Sequence, residues 1–167
     1  MFWKWLKLGK VAPQAYRLQG DEAELPDEVY LALTDVKADA TRAELNMSRV
    51  AVFHRCFLNG SFGAVLVNFA DQVSDIVAAY EALDLEPFAR LIRQAHQDAK
   101  AAETQGISPN DIEQWYAVFE ATNWLYSELT YGGEPKDARA DALEQALVRK
   151  ICQQPEVYKR ILLAACL

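Results

Sequence analysis

From Leu45 onward, apolar positions recur at intervals of three and four residues, the spacing of helices that each bury one face. Val52, Phe53, Cys56 and Phe57 form the first stripe, which runs up to Asn59-Gly60-Ser61. Asn and Gly both tolerate positive φ, so a kink or corner is expected there, inside the future core. The apolar pattern resumes at once over 62–69, with a second asparagine at Asn68, and predicts a short, centrally buried helix. Asn59 is expected to close the helix end, Gly60 to supply the sharp geometry, and Phe62 to enter the core. Asn68 is expected to be partly buried, its amide bonded to the backbone of the Asn59 turn.

Val73, Ile76, Val77, Tyr80 and Leu83 give the next amphipathic stripe. Phe88, Leu91, Ile92, Ala95 and Ala99 follow, with Pro87 suited to a first helical turn. Thr104-Gln105-Gly106 ends that helix, and Ser108-Pro109 with Asp111 starts another. Ile112, Trp115, Phe119, Thr122, Leu125 and Leu129 read as one side of a single helix, stopped at Gly132-Gly133. Leu143, Leu147 and Ile151 make a short stripe, and Val157, Ile161, Leu162 and Ala165 a last one after Pro155. Sustained period-two alternation is missing from the sequence, so strands are not expected. The fold class that follows is all-α: one compact, irregular bundle of about seven to nine helices. Residues 1–42, broken by Pro13, Gly20 and Pro26, read as a less regular segment with short helices, packed onto the 43–167 core as one domain.

At 167 residues the chain is long enough for a hydrophobic core of its own. Its formal net charge of −7 disfavours a nucleic-acid ligand, whose phosphates call for clustered Lys and Arg. Three cysteines without CxxC spacing (Cys56, Cys152, Cys166) read as free thiols of a reducing, cytoplasmic setting. The aromatic and lysine-bearing start, with Trp3 and Trp5, is too short and too charged to span a membrane, and no later run is expected to do so. The two tryptophans are candidates for docking onto the body or onto a second subunit.

Chemistry-bearing motifs are missing. There is no phosphate loop, zinc helix, calcium loop or dinucleotide fingerprint, and no cofactor or metal is implied. His54 and Cys56 lie two apart on a helix, where their side chains diverge, so they are read as a partly exposed histidine and a core thiol. Neither catalysis nor an acid–base pair of carboxylates is indicated. The electrostatic feature that stands out is like charge at i, i+4: Asp35 with Asp39, Asp71 with Asp75, and Asp137 with Asp141, Glu144 lying three residues further on. On helices such partners would share a face about 6 Å apart along the axis. Glu113 and Glu120 would share another. Such rows would either be ordinary solvated faces or imitate the phosphates of a nucleic-acid backbone.

The segment Phe57-Leu58-Asn59-Gly60-Ser61-Phe62, followed by Val67-Asn68-Phe69, resembles the N-G-G-F…F-x-N signature of the DNA-mimic protein family of small acidic helical proteins. Similarity continues through 76–83 and 88–95, and Gln153-Gln154-Pro155-Glu156-Val157-Tyr158 is similar to a closing N-P-E-x-F element. Ser61 stands where the signature has a second glycine, and Leu58 where it has a polar or aromatic residue. The resemblance implies a cytoplasmic, homodimeric, all-helical protein. Its acidic surface would occupy the DNA-binding face of a helix-turn-helix regulator, through Asp137, Asp141 and Glu144, with Asp35, Asp39, Asp71 and Asp75 beside them. The alternative is a regulatory adaptor or immunity-type protein that binds its partner through an apolar patch around Trp3 and Trp5.

Overall fold

A computed structural model describes residues 18, 24–37, 39–132 and 141–165. Within them the chain is all-α, and no strand occurs among the described residues. The helices are α1 (Asp27–Thr34), α2 (Arg42–Phe69), α3 (Val73–Ala82), α4 (Glu86–Thr104), α5 (Ile112–Val118), α6 (Glu120–Tyr131), α7 (Ala142–Gln153) and α8 (Lys159–Ala164), with a 3-10 turn at Ala70–Gln72.

The long α2 is the spine, and α1, α3, α5, α6 and α7 all pack against it. A capping box starts it. Thr41 Oγ1 accepts from the Glu44 backbone N–H, and the Thr41 N–H donates to Glu44 Oε2 at 2.8 Å. The T-x-x-E pattern at 41–44 would have marked this start. Inside, Phe53, Phe57, Phe62, Tyr80, Phe88 and Tyr126 form one aromatic cluster, with the Tyr126 ring 4.1 Å from Phe57 and 5.1 Å from Phe88, centroid to centroid. Tyr80, Phe53, Phe62 and Tyr126 are wholly buried, and such aromatic pairs add to the area that they remove from water.

The expected single helix over 112–129 is two helices, α5 and α6, which meet at Phe119. Trp115, Phe119, Thr122 and Tyr126 turn inward, whereas Ile112, Leu125 and Leu129 are exposed. Val157 is exposed as well, whereas Ile161 is buried and Leu162 and Ala165 pack half-buried against the core, joined by the buried Tyr158. A second correction concerns membrane-spanning length. The helical run Arg42–Ala82 contains a window with mean hydropathy 1.5, long and apolar enough to cross a bilayer, yet half of that window is buried in the bundle. A core helix wrapped by neighbours meets the same test as a membrane span.

Candidate functional site

The carboxylates expected to line one ridge occupy different environments. Asp141 and Glu144 are 3% and 4% exposed, inside the fold and not on a helix face. Asp141 is the N-cap of α7, and its Oδ1 accepts the backbone N–H groups of Leu143 and Glu144, each at 2.9 Å. A residue that starts a helix does not share a helical face with a residue four positions before it. Asp137, the expected i, i+4 partner of Asp141, lies outside the described residues.

Asp35 is the exposed C-cap of α1, while Asp39 lies beyond the helix and pairs with Arg160 at 2.9 Å. Asp71 is exposed in the 3-10 turn. Asp75, on α3, pairs with Arg49 of α2 at 2.8 Å. Glu113 and Glu120 are exposed on separate helices. Among the described residues a helix boundary falls between Asp35 and Asp39 and between Asp71 and Asp75, which interrupts the expected rows.

Asp141 anchors a polar chain that the sequence did not disclose. Its Oδ2 lies 2.6 Å from His54 Nε2, His54 Nδ1 lies 3.1 Å from the Tyr126 hydroxyl, and that hydroxyl lies 2.9 Å from the hydroxyl of Tyr80. With a neutral imidazole all bonds run one way. Tyr80 donates to Tyr126, Tyr126 to Nδ1, and Nε2–H to the carboxylate, so each member is satisfied. His54 is completely buried, not partly exposed, because α2 turns it toward α6 and α7. The chain ends on Tyr80, which is also fully buried. Burial pushes the Tyr80 and Tyr126 hydroxyls far above the usual phenol range. Tyr131, beside Asp141, is pushed up to about 12 by burial first and then by the charges of Asp141 and Glu144.

A second cluster adjoins it. Glu144 Oε1 accepts from Arg55 Nε at 2.9 Å, and Oε2 accepts from the Leu25 backbone N–H at 2.8 Å. Arg55 also donates to the Leu25 carbonyl at 3.0 Å, and its guanidinium lies 4.1 Å from the centre of the Tyr30 ring. The pair thus clips the segment before α1 onto α2 and α7, and both Glu144 oxygens are occupied. A recess of about 430 Å³ opens beside it, lined by Glu24, Asp27, Arg55, Tyr131, Asp141 and Glu144 among others. No group of His, Cys, Asp and Glu suited to a metal ion occurs among the described residues.

The signature segment is also placed differently from expectation. The kink in α2 sits at Ser61, with φ 59° and ψ 179°, and Gly60 does not have positive φ. Gly60 matters for closeness instead, since a Cβ there would lie 2.7 Å from the Ala64 Cβ. Asn59 is exposed, and Phe62 is fully buried as expected. Asn68 is exposed and donates to the Ala64 carbonyl one turn back at 3.2 Å, so it does not reach the Asn59 turn. The backbone groups freed by the kink are taken by other helices: the Phe62 N–H donates to Asn123 Oδ1 at 2.9 Å, and Trp115 Nε1 donates to the Gly63 carbonyl at 2.8 Å.

Beside that corner the surface turns apolar. The Tyr116 ring lies against Gly63, where a Cβ would come within 3.0 Å of it. Val67, one turn further along α2, and Ile112, one turn before Tyr116 on α5, are 52% and 68% exposed. Trp124, beside the Asn123 that holds the kink, is 61% exposed. The Trp3 and Trp5 patch lies outside the described residues. Cys56 and Cys152 are half-buried, the Cys152 thiol donating to the Leu18 carbonyl at 3.3 Å, and Cys166 is outside the described residues.

These features define an all-α protein whose buried charges hold helices together and whose unassigned features face outward. No family model, curated protein or solved structure matches the chain. The resemblance to the DNA-mimic family therefore rests on the residues that carry it.

Proposed function

We propose that the protein is a non-catalytic protein-binding module, docking through the apolar surface beside the α2 kink. The observation that carries this reading is the exposure of Val67, Ile112 and Tyr116 on two helices that meet where the Tyr116 ring lies on Gly63 and Trp115 donates to the Gly63 carbonyl. Exposed apolar side chains grouped in this way, with aromatic members, are the composition of interface centres. The polar groups best equipped for chemistry, His54, Asp141 and Glu144, have their partners within the fold, which fits binding better than turnover. The reading belongs with the adaptor-type alternative, moved from Trp3 and Trp5 to the kink.

DNA mimicry is the second reading, favoured by the net charge of −7 and by the signature. It would draw on Asp35 and Asp71, with Asp137 a further member, and it fits less well because Asp39 and Asp75 are paired with arginines. One experiment separates the two. Proteins captured from a cell extract by the immobilised chain, including a second copy of itself, are compared with those captured by a Val67→Glu, Ile112→Glu variant, at low and high salt. Apolar docking predicts loss in the variant and retention in salt. Mimicry predicts retention in the variant and loss in salt. Capture that ignores both changes would overturn both readings.

A further inference from the structure

A groove of about 670 Å³ lies between α1 and α8, away from the kink. Its walls include Leu31, Val36, Ile161 and Ala164, and Leu31 is 63% exposed there. This volume falls within the range of small-molecule sites, which pair apolar walls with a few fixed polar groups. Glu44 contributes to the same wall and is 1% exposed. Its Oε2 closes the capping box of α2, but its Oε1 is buried and has no hydrogen-bond partner. A buried carboxylate oxygen without a donor is costly, so a group that supplies one gains that free energy on binding.

We propose that this groove binds a small organic cation, an apolar body bearing a protonated primary amine, the Glu44 carboxylate turning toward the groove so that Oε1 takes the ammonium. The charges around it favour this sign. Asp35 also lines the groove, and the Arg160 guanidinium is already held by the Asp39 carboxylate and the Asp39 carbonyl, both at 2.9 Å. Lys37 is the remaining cation on the wall, and it is exposed. An anionic ligand would have to approach Glu44 without relieving its missing bond. A neutral alcohol could donate one hydrogen bond but no charge, and charge-assisted bonds are roughly twice as strong as neutral ones.

The test uses the full chain with hexylamine, 1-hexanol and hexanoate, followed by amide chemical shifts and calorimetry. Hexylammonium is expected to saturate, moving the amides of Leu31, Val36 and Ile161, and to bind roughly tenfold more tightly than hexanol, with hexanoate weaker still. Glu44→Gln preserves the capping box, since glutamine serves at that position, and is expected to erase the preference for the amine. Ala164→Trp, at an exposed position, is expected to fill the groove and remove binding altogether. Equal binding of amine and alcohol, no saturation at millimolar amine, or an undiminished preference in Glu44→Gln would each overturn the proposal.

Discussion

Ser61 adopts φ 59° and ψ 179°, a backbone region in which glycine is the usual occupant, and its buried Oγ has no hydrogen-bond partner. The perturbation that follows is Ser61→Gly. Backbone strain of this kind costs about 1–3 kcal/mol, and a buried unsatisfied hydroxyl costs about 1–3 kcal/mol more. Against these, glycine frees the unfolded chain, a loss of about 0.4–1 kcal/mol. The terms overlap, because the strained backbone and the stranded hydroxyl relax together, so a net gain of about 1–3 kcal/mol is expected. Urea unfolding followed by far-ultraviolet circular dichroism would read it as a higher midpoint at unchanged slope. In heat, each kcal/mol raises Tm by about 2–4 °C for a chain of this size. Ser61→Ala separates the contributions, since it removes the hydroxyl and keeps the Cβ, and should recover only part of the gain. Gly60→Ala should instead destabilise, its Cβ meeting that of Ala64 at 2.7 Å. A Ser61→Gly protein no more stable than the native one would refute the reasoning, since neither the strain nor the hydroxyl would then carry weight.

Asp141→Ala removes the α7 cap, worth about 0.5–2 kcal/mol, and strands the buried His54 N–H, worth about 1–3 kcal/mol, so a cost of about 2–5 kcal/mol is expected. Asp141→Asn retains a capping oxygen and should cost clearly less; equal losses in urea unfolding would show that the cap contributes nothing. Alkaline stability is the third expectation. Tyr131 ionises at about 12 in the folded chain against about 10 unfolded, so its stabilising contribution is complete below pH 10 and is lost as pH rises through 12. Tyr131→Phe should be less sensitive over that window, and phenolate absorbance should show Tyr80 and Tyr126 titrating only as the protein unfolds. Their ionisation in a folded protein at pH 10–11 would contradict the buried chain.

Helix content was legible because period-3.6 stripes survive without knowledge of the partners: Val73, Ile76, Val77 and Tyr80 are buried as read, as are Phe88, Ile92, Ala95 and Ala99, with Leu91 half-buried. The Asp111 start and the Gly132 stop were legible from local chemistry alone, and Gly132 takes the left-handed cap at φ 62°. The break at Phe119 was not, since a buried aromatic fits either a continuous stripe or a junction. The acidic pattern misled for a related reason. The i, i+4 argument presumes one helix under both residues, and Asp141 is a cap. Its partner His54 is 87 positions away, a pairing that no local window contains. The D-x-x-E run at 141–144 did hold a usable signal, because an acidic residue just before an apolar stripe is an N-cap pattern.

The placement of these carboxylates also changes what the net charge can do. Mimicry of a nucleic acid requires negative groups in register, so that each meets a cation on the partner. Asp141 and Glu144 are spent on helix α7 and on Arg55, while Asp39 and Asp75 each face an arginine. What remains is a net field of −7 without an established ladder of charges among the described residues. A field of that kind accelerates encounter with a basic partner and is screened by salt, but it sets no register. Under the proposed docking, register and lifetime would come from apolar contacts at the kink, where the turn that strains Ser61 brings Gly63 under the Tyr116 ring. On the proposed reading the signature segment would serve binding by being structural, since the corner packs α2 against α5, and Val67, Ile112 and Tyr116 on those two helices are exposed.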